Sequence, residues 1–222
     1  MIRARSTCAS RTAGVTLDHA AGLYDLLSPI MMLGAERRLH SEVISLLNLH
    51  NATSVLDVGC GTGTLTHDIY NSMRNTKQKW VVGIDAAEKM IKKALSKYHG
   101  EPGLYFDAAL AEDLPYPPET FDRIVSTFFF HHLNYELKKD SLNEIWRTLR
   151  YGGTAVILDV DIPYTLFGKL CAYSGYWLFR QHEIKENIDG KLRSALTESQ
   201  FAANWRIVSR HSGYLSIFEL KK

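Results

Sequence analysis

The sequence has few cysteines, and they are not spaced for a shared role. It contains three, Cys8, Cys60 and Cys171, and no two of them form a CxxC pair. An odd number of widely separated cysteines argues against a disulfide framework and against a zinc cluster. We therefore expect no metal site and a reducing compartment, with the cytoplasm as the location.

The sequence also lacks long apolar runs and a strong net charge. No uncharged apolar run reaches the ~18 residues that a membrane span needs. The nearest, residues 162–179, includes Pro163, Gly168, Lys169 and Gly175 and is interpreted as an apolar helix. The formal net charge of +2 is too small to indicate a nucleic-acid partner. We predict no integral membrane segment and no nucleic acid, and leave peripheral membrane contact and the oligomeric state open.

Acidic residues are missing from residues 1–17, which carry Arg3, Arg5 and Arg11. This composition resembles an organelle transit segment, so a mitochondrial or other organelle location is the alternative to the cytoplasm. A loose basic tail is the commoner explanation of such a terminus. We predict a flexible tail over residues 1–17 and a single domain over residues 18–222.

Short apolar strands and helical stretches alternate along most of the chain. Strand patterns occupy residues 54–58, 80–84, 104–106, 123–127 and 154–158. Apolar residues at helical spacing predict a helical stretch over about residues 23–49. This order predicts an α/β fold, a parallel sheet with helices on both faces. Two late strands, near residues 205–208 and 214–220, are predicted to form an antiparallel hairpin at the sheet edge.

The most informative segment is residues 55–63, Val-Leu-Asp-Val-Gly-Cys-Gly-Thr-Gly. Glycines at this strand–helix turn allow close approach of a ligand beyond the carboxyl end of the strand. The spacing is GxGxG, and Thr64 stands where the dinucleotide pattern GxGxxG has its third glycine. Asp57 opposes a pyrophosphate but suits a positively charged ligand, and Asp85 ends the next strand, where a carboxylate accepts hydrogen bonds from ribose hydroxyls.

These motifs resemble those of the class I S-adenosylmethionine-dependent methyltransferases, in the type 11 and quinone-biosynthesis branch. The resemblance covers roughly residues 20–160. The matching segments are residues 55–63, 82–85 with Met90, Leu114-Pro115, Phe121-Asp122, His131-His132-Leu133, Leu149-Arg150 with Gly152-Gly153, and 24–29. The resemblance implies a Rossmann-like, mostly parallel seven-stranded sheet with an antiparallel C-terminal strand. It also implies S-adenosyl-L-methionine as cofactor and methylation of a small hydrophobic acceptor such as a phenol, quinone or lipid.

By this resemblance, Asp57 and the glycine loop hold the methionine part of the cofactor, Asp85 holds the ribose, and Met90 packs near the adenine. The implied cofactor-binding residues are Asp57, Gly59, Cys60, Gly61, Gly63, Asp85, Ala86, Met90, Ala111, Glu112 and Ser126. One position departs from the family, because Leu110 stands where an aspartate usually meets the adenine amino group. The backbone of Ala111, or Asp107 with Ala108, is the substitute that the sequence offers.

Three residues are candidates for catalysis. His131 and His132 follow the fourth strand, where a histidine with a pKa near neutrality suits removal of a proton from the acceptor. The alternative is that they cap or pack beneath the following helix. Tyr24 corresponds to an aromatic residue that closes over the cofactor in similar enzymes, or is a buried helix tyrosine. Asp18 and His19 are weaker candidates for the same lid.

The helix after Pro163, rich in aromatic residues, indicates either a hydrophobic acceptor pocket or ordinary packing on the sheet. The Leu110 departure leaves room for a second reading, a cofactor-binding partner subunit without catalysis. A nicotinamide-dependent oxidoreductase is disfavoured by the GxGxG spacing. A nucleic-acid methyltransferase is disfavoured by the small net charge.

Overall fold

The computed structural model describes residues 36–73, 78–179 and 181–222. The predicted tail, Tyr24 and the start of the predicted helical stretch at residues 23–49 lie outside these ranges. The strands are β1 Ser54–Val58, β2 Trp80–Asp85, β3 Leu104–Ala108, β4 Phe121–Thr127, β5 Leu149–Val160, β6 Trp205–His211 and β7 Leu215–Lys221. The helices are α1 Glu36–Leu46, α2 Thr64–Ser72, α3 Glu88–Lys97, α4 Tyr135–Thr148, α5 Leu166–Phe179, α6 His182–Ile188 and α7 Lys191–Glu198.

The seven strands form one sheet in the order β3-β2-β1-β4-β5-β7-β6. The first five are parallel, while β7 pairs antiparallel with β5 and with β6. The sequence prediction of a mostly parallel sheet with an antiparallel C-terminal hairpin is therefore confirmed. Because the first five strands are parallel, their carboxyl ends gather at a single edge of the sheet.

Helices cover both faces of the sheet, which explains the nearly continuous apolar strands. In β1, Val55 packs with α1, α2 and α3, whereas Leu56 packs with α4 and α7 on the opposite face. All five residues of β1 are buried. Burial on two faces is typical of parallel strands and removes the apolar–polar alternation of half-exposed ones.

Some boundaries differ from the sequence prediction. The fifth strand begins before the predicted residue 154, because α4 ends at Thr148 and β5 begins at Leu149, so Gly152-Gly153 lies inside the strand. Helices α6 and α7 occupy a polar segment in which no element was predicted. Within the described ranges, no helix is both long enough and apolar enough to span a membrane.

Candidate active site

The carboxyl ends of β1 and β4 lie side by side where the strand order reverses. In open α/β sheets, ligands bind in the crevice at this point. The loops that leave the two strands are in contact, because a Cβ on Gly59 would lie 2.5 Å from Cδ2 of Phe129. The glycine loop and the segment with His131 and His132 therefore belong to one site.

The glycine loop follows a backbone path that needs its glycines. Gly59, Gly61 and Gly63 have φ angles of 78°, 54° and 81°, in the left-handed region that other residues rarely adopt. The N–H groups of Gly59 and Cys60 donate to the carbonyl of Ile84 at 2.9 and 2.8 Å. These bonds fix the loop to the end of β2, and α2 begins directly after Gly63.

Asp85 ends β2, and its carboxylate lies against the glycine loop. Oδ2 accepts the N–H of Gly61 at 3.0 Å, and Oδ1 accepts the N–H of Ala87 at 2.8 Å. The side chain is half-buried. The fold thus brings together two features separated by 24 residues, a carboxylate acceptor and a loop that permits close approach.

Asp57 lies beneath the loop and is almost completely buried. The hydroxyl of Thr66 donates to its Oδ2 at 2.7 Å, whereas Oδ1 has no hydrogen-bond partner among the described residues. Burial raises the pKa of Asp57 to about 7, and the negative charge of Asp85 adds to the shift. An unpaired buried carboxylate oxygen is costly, so its retention points to a ligand with a positive charge or a donor.

The other residues predicted around the adenine lie near the ends of β2 and β3. Ala86 follows β2 directly and is half-buried, while Met90 in α3 is almost fully buried. Ala111 is buried in the core, and Glu112 beside it is half-buried. Ala109 connects this loop to β2, since its N–H donates to the carbonyl of Asp85 at 3.2 Å.

Position 110 holds a leucine, and the nearby Asp107 has a partner of its own. The Tyr116 hydroxyl donates to Asp107 Oδ2 at 3.3 Å, and burial raises the pKa of that carboxyl. Leu110 forms an isolated antiparallel bridge with Asp113. A Leu110 side chain provides no hydrogen bond to a base.

Two predicted cofactor residues have internal roles. The buried Ser126 hydroxyl donates to the carbonyl of Val58 at 2.8 Å and thereby joins the ends of β4 and β1. Cys60 is half-buried, and burial holds the pKa of its thiol well above the usual range. The Cys60 thiol therefore stays protonated and contributes no thiolate.

His131 lies in a short 3-10 helix after β4, and its ring contacts Asp159 at the end of β5. Its Nδ1 is 2.8 Å from Oδ1 of Asp159, a fully buried carboxylate. The His131 side chain is 13% exposed, so part of the ring reaches the surface. A histidine held by a carboxylate can act as a general base where its other ring nitrogen reaches a ligand.

His132 occupies a different environment from its neighbour. Its ring centroid lies 4.0 Å from that of His131, and its Nδ1 is 3.1 Å from Oε1 of Gln181. Burial, reinforced by His131, lowers the pKa of His132 to about 3. His132 is therefore neutral at physiological pH, and its Nδ1 carries the proton that Gln181 accepts.

Sequence reasoning missed the residues behind the histidine pair. These are Asp159, Asn187, Lys138 with Glu186, and Gln181. Asp159 had a detectable signal, since it ends a strand at the same sheet edge as Asp85. The others lie on helices or loops whose approach to the histidines depends on the tertiary fold.

The aromatic helix predicted after Pro163 is α5, and it divides between two roles. Tyr173 and Tyr176 pack against the core under α1 and α6. Phe167 and Trp177 are 61% and 74% exposed. Tyr24, Asp18 and His19 lie outside the described residues. In the described part of the chain, no group of three or more His, Cys, Asp or Glu side chains is placed to hold a metal ion.

Comparison with known proteins connects this geometry to a family. A family profile described as "Methyltransferase domain" matches residues 55–153. A ubiquinone/menaquinone biosynthesis C-methyltransferase of Geobacter sulfurreducens is 31% identical over 159 residues, which are 70% of this chain and 60% of the relative. One of the same name from Geotalea daltonii is 30% identical over 167 residues, 72% of this chain and 68% of the relative. The chain belongs to the S-adenosylmethionine-dependent methyltransferases, in the quinone-biosynthesis branch.

The fold of this chain agrees with a solved structure. A Methanococcus maripaludis protein, provisionally assigned as an S-adenosyl-L-methionine-dependent methyltransferase, superposes with a TM-score of 0.65 at 15% identity. The superposition covers 92% of this chain and 93% of that one. The chain spans about three fifths of the length of the curated relatives that it first matches.

The site of this chain fits the cofactor of its family. S-adenosylmethionine carries a sulfonium and an ammonium group on its methionine end and two ribose hydroxyls. The unpaired buried oxygen of Asp57 suits the cationic end, and the carboxylate of Asp85 suits the hydroxyls. A Cβ on Gly59 would meet Phe129, so glycine at this position lets the loop pack against the segment that leaves β4.

Proposed function

We propose that this chain binds S-adenosyl-L-methionine in the glycine loop and methylates a small hydrophobic acceptor of the quinone class. One observation carries the cofactor assignment: a buried carboxylate with an unpaired oxygen, Asp57, lies under three left-handed glycines with Asp85 beside them. The acceptor class is supported by the names of the relatives, which belong to ubiquinone and menaquinone biosynthesis.

In this proposal, Asp57 and the loop from Gly59 through Cys60 and Gly61 to Gly63 hold the methionine part, and Asp85 holds the ribose. The adenine is bounded by Ala86, Met90, Ala111 and Glu112. Ser126 acts from beneath, by fixing the end of β1 through its bond to Val58. When bound, the cofactor supplies an electrophilic methyl group on sulfur.

The residues of the chain then have to orient the acceptor, exclude water and remove a proton. Orientation of this kind supplies on the order of 7–11 kcal/mol of a barrier. A hydroxylated ring becomes nucleophilic at carbon when its hydroxyl loses a proton, and the proposal assigns that proton to His131. His132, held neutral by burial, lies beside His131, with 4.0 Å between the ring centroids. Tyr24 remains the proposed N-terminal contributor to the site.

Binding and turnover test the two halves of the proposal separately. Titration calorimetry with S-adenosylhomocysteine should show a single site that Asp85→Asn weakens at least tenfold. Asp140→Asn, an exposed carboxylate on α4, is the matched control and should bind as the wild type does. Failure of wild-type protein to bind at millimolar ligand would refute the cofactor assignment.

The turnover assay uses 1,4-naphthoquinone reduced by dithionite and cofactor labelled in the methyl group. Transfer of label to ring carbon supports the proposal, and transfer to oxygen corrects the atom methylated. Binding without transfer to this ring or to reduced benzoquinone favours the second reading, a cofactor-binding subunit without catalysis. The observation behind that reading is the leucine at position 110.

A hydrophobic acceptor also bears on where the protein works. One side of α5 exposes Leu166, Phe167, Leu170 and Trp177 at 89%, 61%, 69% and 74%. Exposed apolar groups clustered in this way mark interaction sites, and a helix with a Trp and a flanking Lys169 suits a lipid surface. Contact of α5 with a membrane is therefore part of the proposal, on a protein that works in a reducing compartment such as the cytoplasm.

Sedimentation with vesicles of phosphatidylcholine and phosphatidylglycerol tests this contact. Leu170→Ser with Trp177→Ser should reduce the bound fraction severalfold. Tyr151→Ser is the control, because Tyr151 is also 74% exposed but lies in the first residues of β5, at the opposite end of the strand from Asp159. Equal binding by all three proteins, or none by the wild type, would remove the membrane from the proposal.

A further inference from the structure

Asp159 is a fully buried carboxylate surrounded by donors from three segments of the chain, the loop after β4, β5 itself and α6. Oδ2 accepts from the N–H groups of Phe129 and Phe130 at 3.0 and 2.7 Å. Oδ1 accepts from the N–H of Val160 at 2.7 Å and from Nδ2 of Asn187 at 3.3 Å, and lies 2.8 Å from Nδ1 of His131. These bonds hold the carboxylate at a single place beside the imidazole ring.

The protonation state of Asp159 follows from these contacts. Burial opposes its ionisation, but His131 and the backbone donors outweigh burial and hold the pKa of the carboxyl below its usual range. An ionised carboxylate only accepts hydrogen bonds, so Nδ1 of His131 must carry the proton. The lone pair of the neutral ring is then on Nε2.

The backbone between β4 and His131 is shaped for this contact. Phe128 has a φ of 52°, a left-handed conformation that is strained for a bulky residue. The turn allows the next two N–H groups to reach Asp159. Strain of this kind persists only where the surrounding structure fixes it, and here it is fixed by the bonds that also place the imidazole.

We infer that Asp159 is a positioning residue that fixes His131 as the Nδ1–H tautomer, so that Nε2 is the base for the acceptor. The inference rests on the proposed function. The acceptor hydroxyl passes its proton to Nε2, and the ring-carbon electron pair forms the bond to the methyl carbon. The carbon–sulfur bond breaks with its pair on sulfur. The ring proton at the methylated carbon is lost as the hydroxyl is restored, and one net proton leaves to water.

The other titratable groups described around His131 and Asp159 are neutral or paired elsewhere, so Asp159 is the anion next to the His131 imidazole. His132 is neutral, and Lys138 donates to the carbonyl of Leu133 and to Glu186 at 3.1 Å. Asp161, two residues beyond Asp159, is held by Arg193 through two bonds of 2.8 and 2.6 Å. Asp161 is therefore a matched buried carboxylate with no bond to His131 in the described structure.

The tautomer can be measured in the wild-type protein without turnover. Long-range ¹H–¹⁵N spectra of histidine-labelled protein at pH 8, assigned by comparison with His131→Gln, should show a protonated Nδ1 and an unprotonated Nε2 for His131. The opposite tautomer would overturn the inference. This measurement stands whether or not the methyl transfer proposal succeeds.

A double-mutant cycle tests the catalytic consequence with reduced 1,4-naphthoquinone. Asp159→Asn should lower kcat on the order of 10³–10⁴-fold, as expected for a base held in the wrong tautomer, with little change in KM. Adding Asp159→Asn to His131→Gln should cost nothing further, and the acidic limb of the kcat profile should move to lower pH in Asp159→Asn. Asp161→Asn is the control, because it removes a neighbouring buried carboxylate that has no bond to His131 and so measures the effect on folding alone.

The outcomes separate three cases. Additive losses in the double variant, or an unmoved pH profile, would reduce Asp159 to a structural residue and overturn the inference. If Asp159→Asn does not fold, the wild-type tautomer decides. Lack of turnover by the wild type on either ring refutes the proposed function instead, whatever tautomer the spectra show.

Discussion

Gly59 and Gly152 share a left-handed backbone, with φ angles of 78° and 75°, but their surroundings differ. A Cβ on Gly152 would meet nothing within 4 Å, whereas one on Gly59 would meet Phe129 at 2.5 Å. Gly152→Ala should therefore cost about 1 kcal/mol of unfolding free energy, from the backbone alone. Gly59→Ala should cost more and weaken S-adenosylhomocysteine binding at least tenfold.

Urea unfolding and titration calorimetry on the two variants measure this difference. Gly152→Ala should bind the cofactor product as the wild type does, because its position lies in β5 away from the loop. Equal effects of the two substitutions on binding would show that contact with Phe129 has no part in the site.

The carboxyl of Asp57 links cofactor binding to pH. Because burial raises the pKa of Asp57 to about 7, its carboxyl is largely protonated below that pH when no cofactor is bound. A bound cation favours the ionised carboxyl, so binding below pH 7 must release a proton. The affinity for S-adenosylmethionine should fall up to about tenfold per pH unit below 7 and level off above it.

Calorimetry at pH 6, 7 and 8 checks the slope, and Asp57→Asn is the control. The variant should bind more weakly at pH 8 and show no slope between pH 6 and 8. A slope that persists in Asp57→Asn would assign the proton to another group.

The sequence predicts the location of a single residue where that residue stands next to a recognisable motif or strand end. Asp57 and Asp85 stand next to a glycine motif and a strand end, so the sequence places them at the sheet edge. The bond between Asp85 and Gly61 depends on the register of β1 and β2, which the sequence does not contain. Asp159 meets His131, and Asn187 meets Asp159, only after β5 and α6 are placed.

At the scale of elements, Asp122 joins two strands of the sheet. The Phe121-Asp122 segment was part of the family resemblance, and the structure places its carboxylate across the start of β1. Oδ2 accepts the N–H groups of Thr53 and Ser54 at 2.8 and 3.0 Å, and Oδ1 accepts from Arg150 at 2.7 Å. Asp122 thus fixes β4 to β1 at the end of the sheet opposite the site.

Asp122→Ala should lower the unfolding free energy by about 1–3 kcal/mol at pH 7. Although burial opposes ionisation, bonds from Thr53 and Arg150 lower the pKa of Asp122 in the folded protein. A lowered pKa gives stability that is present above the unfolded value and lost in acid, so the difference from wild type should shrink below about pH 4. Urea unfolding from pH 7 to pH 3 measures this difference, with the exposed Asp140→Ala as control. A difference in unfolding free energy that stays constant with pH would contradict the role of Asp122 ionisation.

Elements were predictable in proportion to their apolar pattern. All seven strands were anticipated, and the signal is clearest in strands such as β1, where two-sided burial gives a continuous apolar run. Helices α6 and α7 escaped prediction, since they are seven and eight residues long and rich in polar side chains. Their absence from the prediction hid Asn187, and with it part of the support of Asp159.

For the molecule as a whole, the fold and cofactor class followed from sequence because they depend on one loop and one strand order. The acceptor did not, since its pocket depends on loops, α5 and α6, and on how these close over the sheet edge. Ligand binding at the glycine loop should still stabilise the fold as a whole. The loop connects β1, β2 and β4 through bonds of Gly59, Ser126 and Asp85.

S-adenosylhomocysteine at one hundred times its Kd should stabilise the folded state by about 2.7 kcal/mol, because it binds only the folded protein. For a chain of 222 residues, this corresponds to a rise in Tm of about 5–10 °C. Scanning calorimetry measures the shift, and NAD⁺ at the same concentration is the control ligand. A shift with NAD⁺ but not with S-adenosylhomocysteine would turn the assignment toward an oxidoreductase. A shift with S-adenosylhomocysteine that Asp85→Asn abolishes would place the stabilising contact at the end of β2.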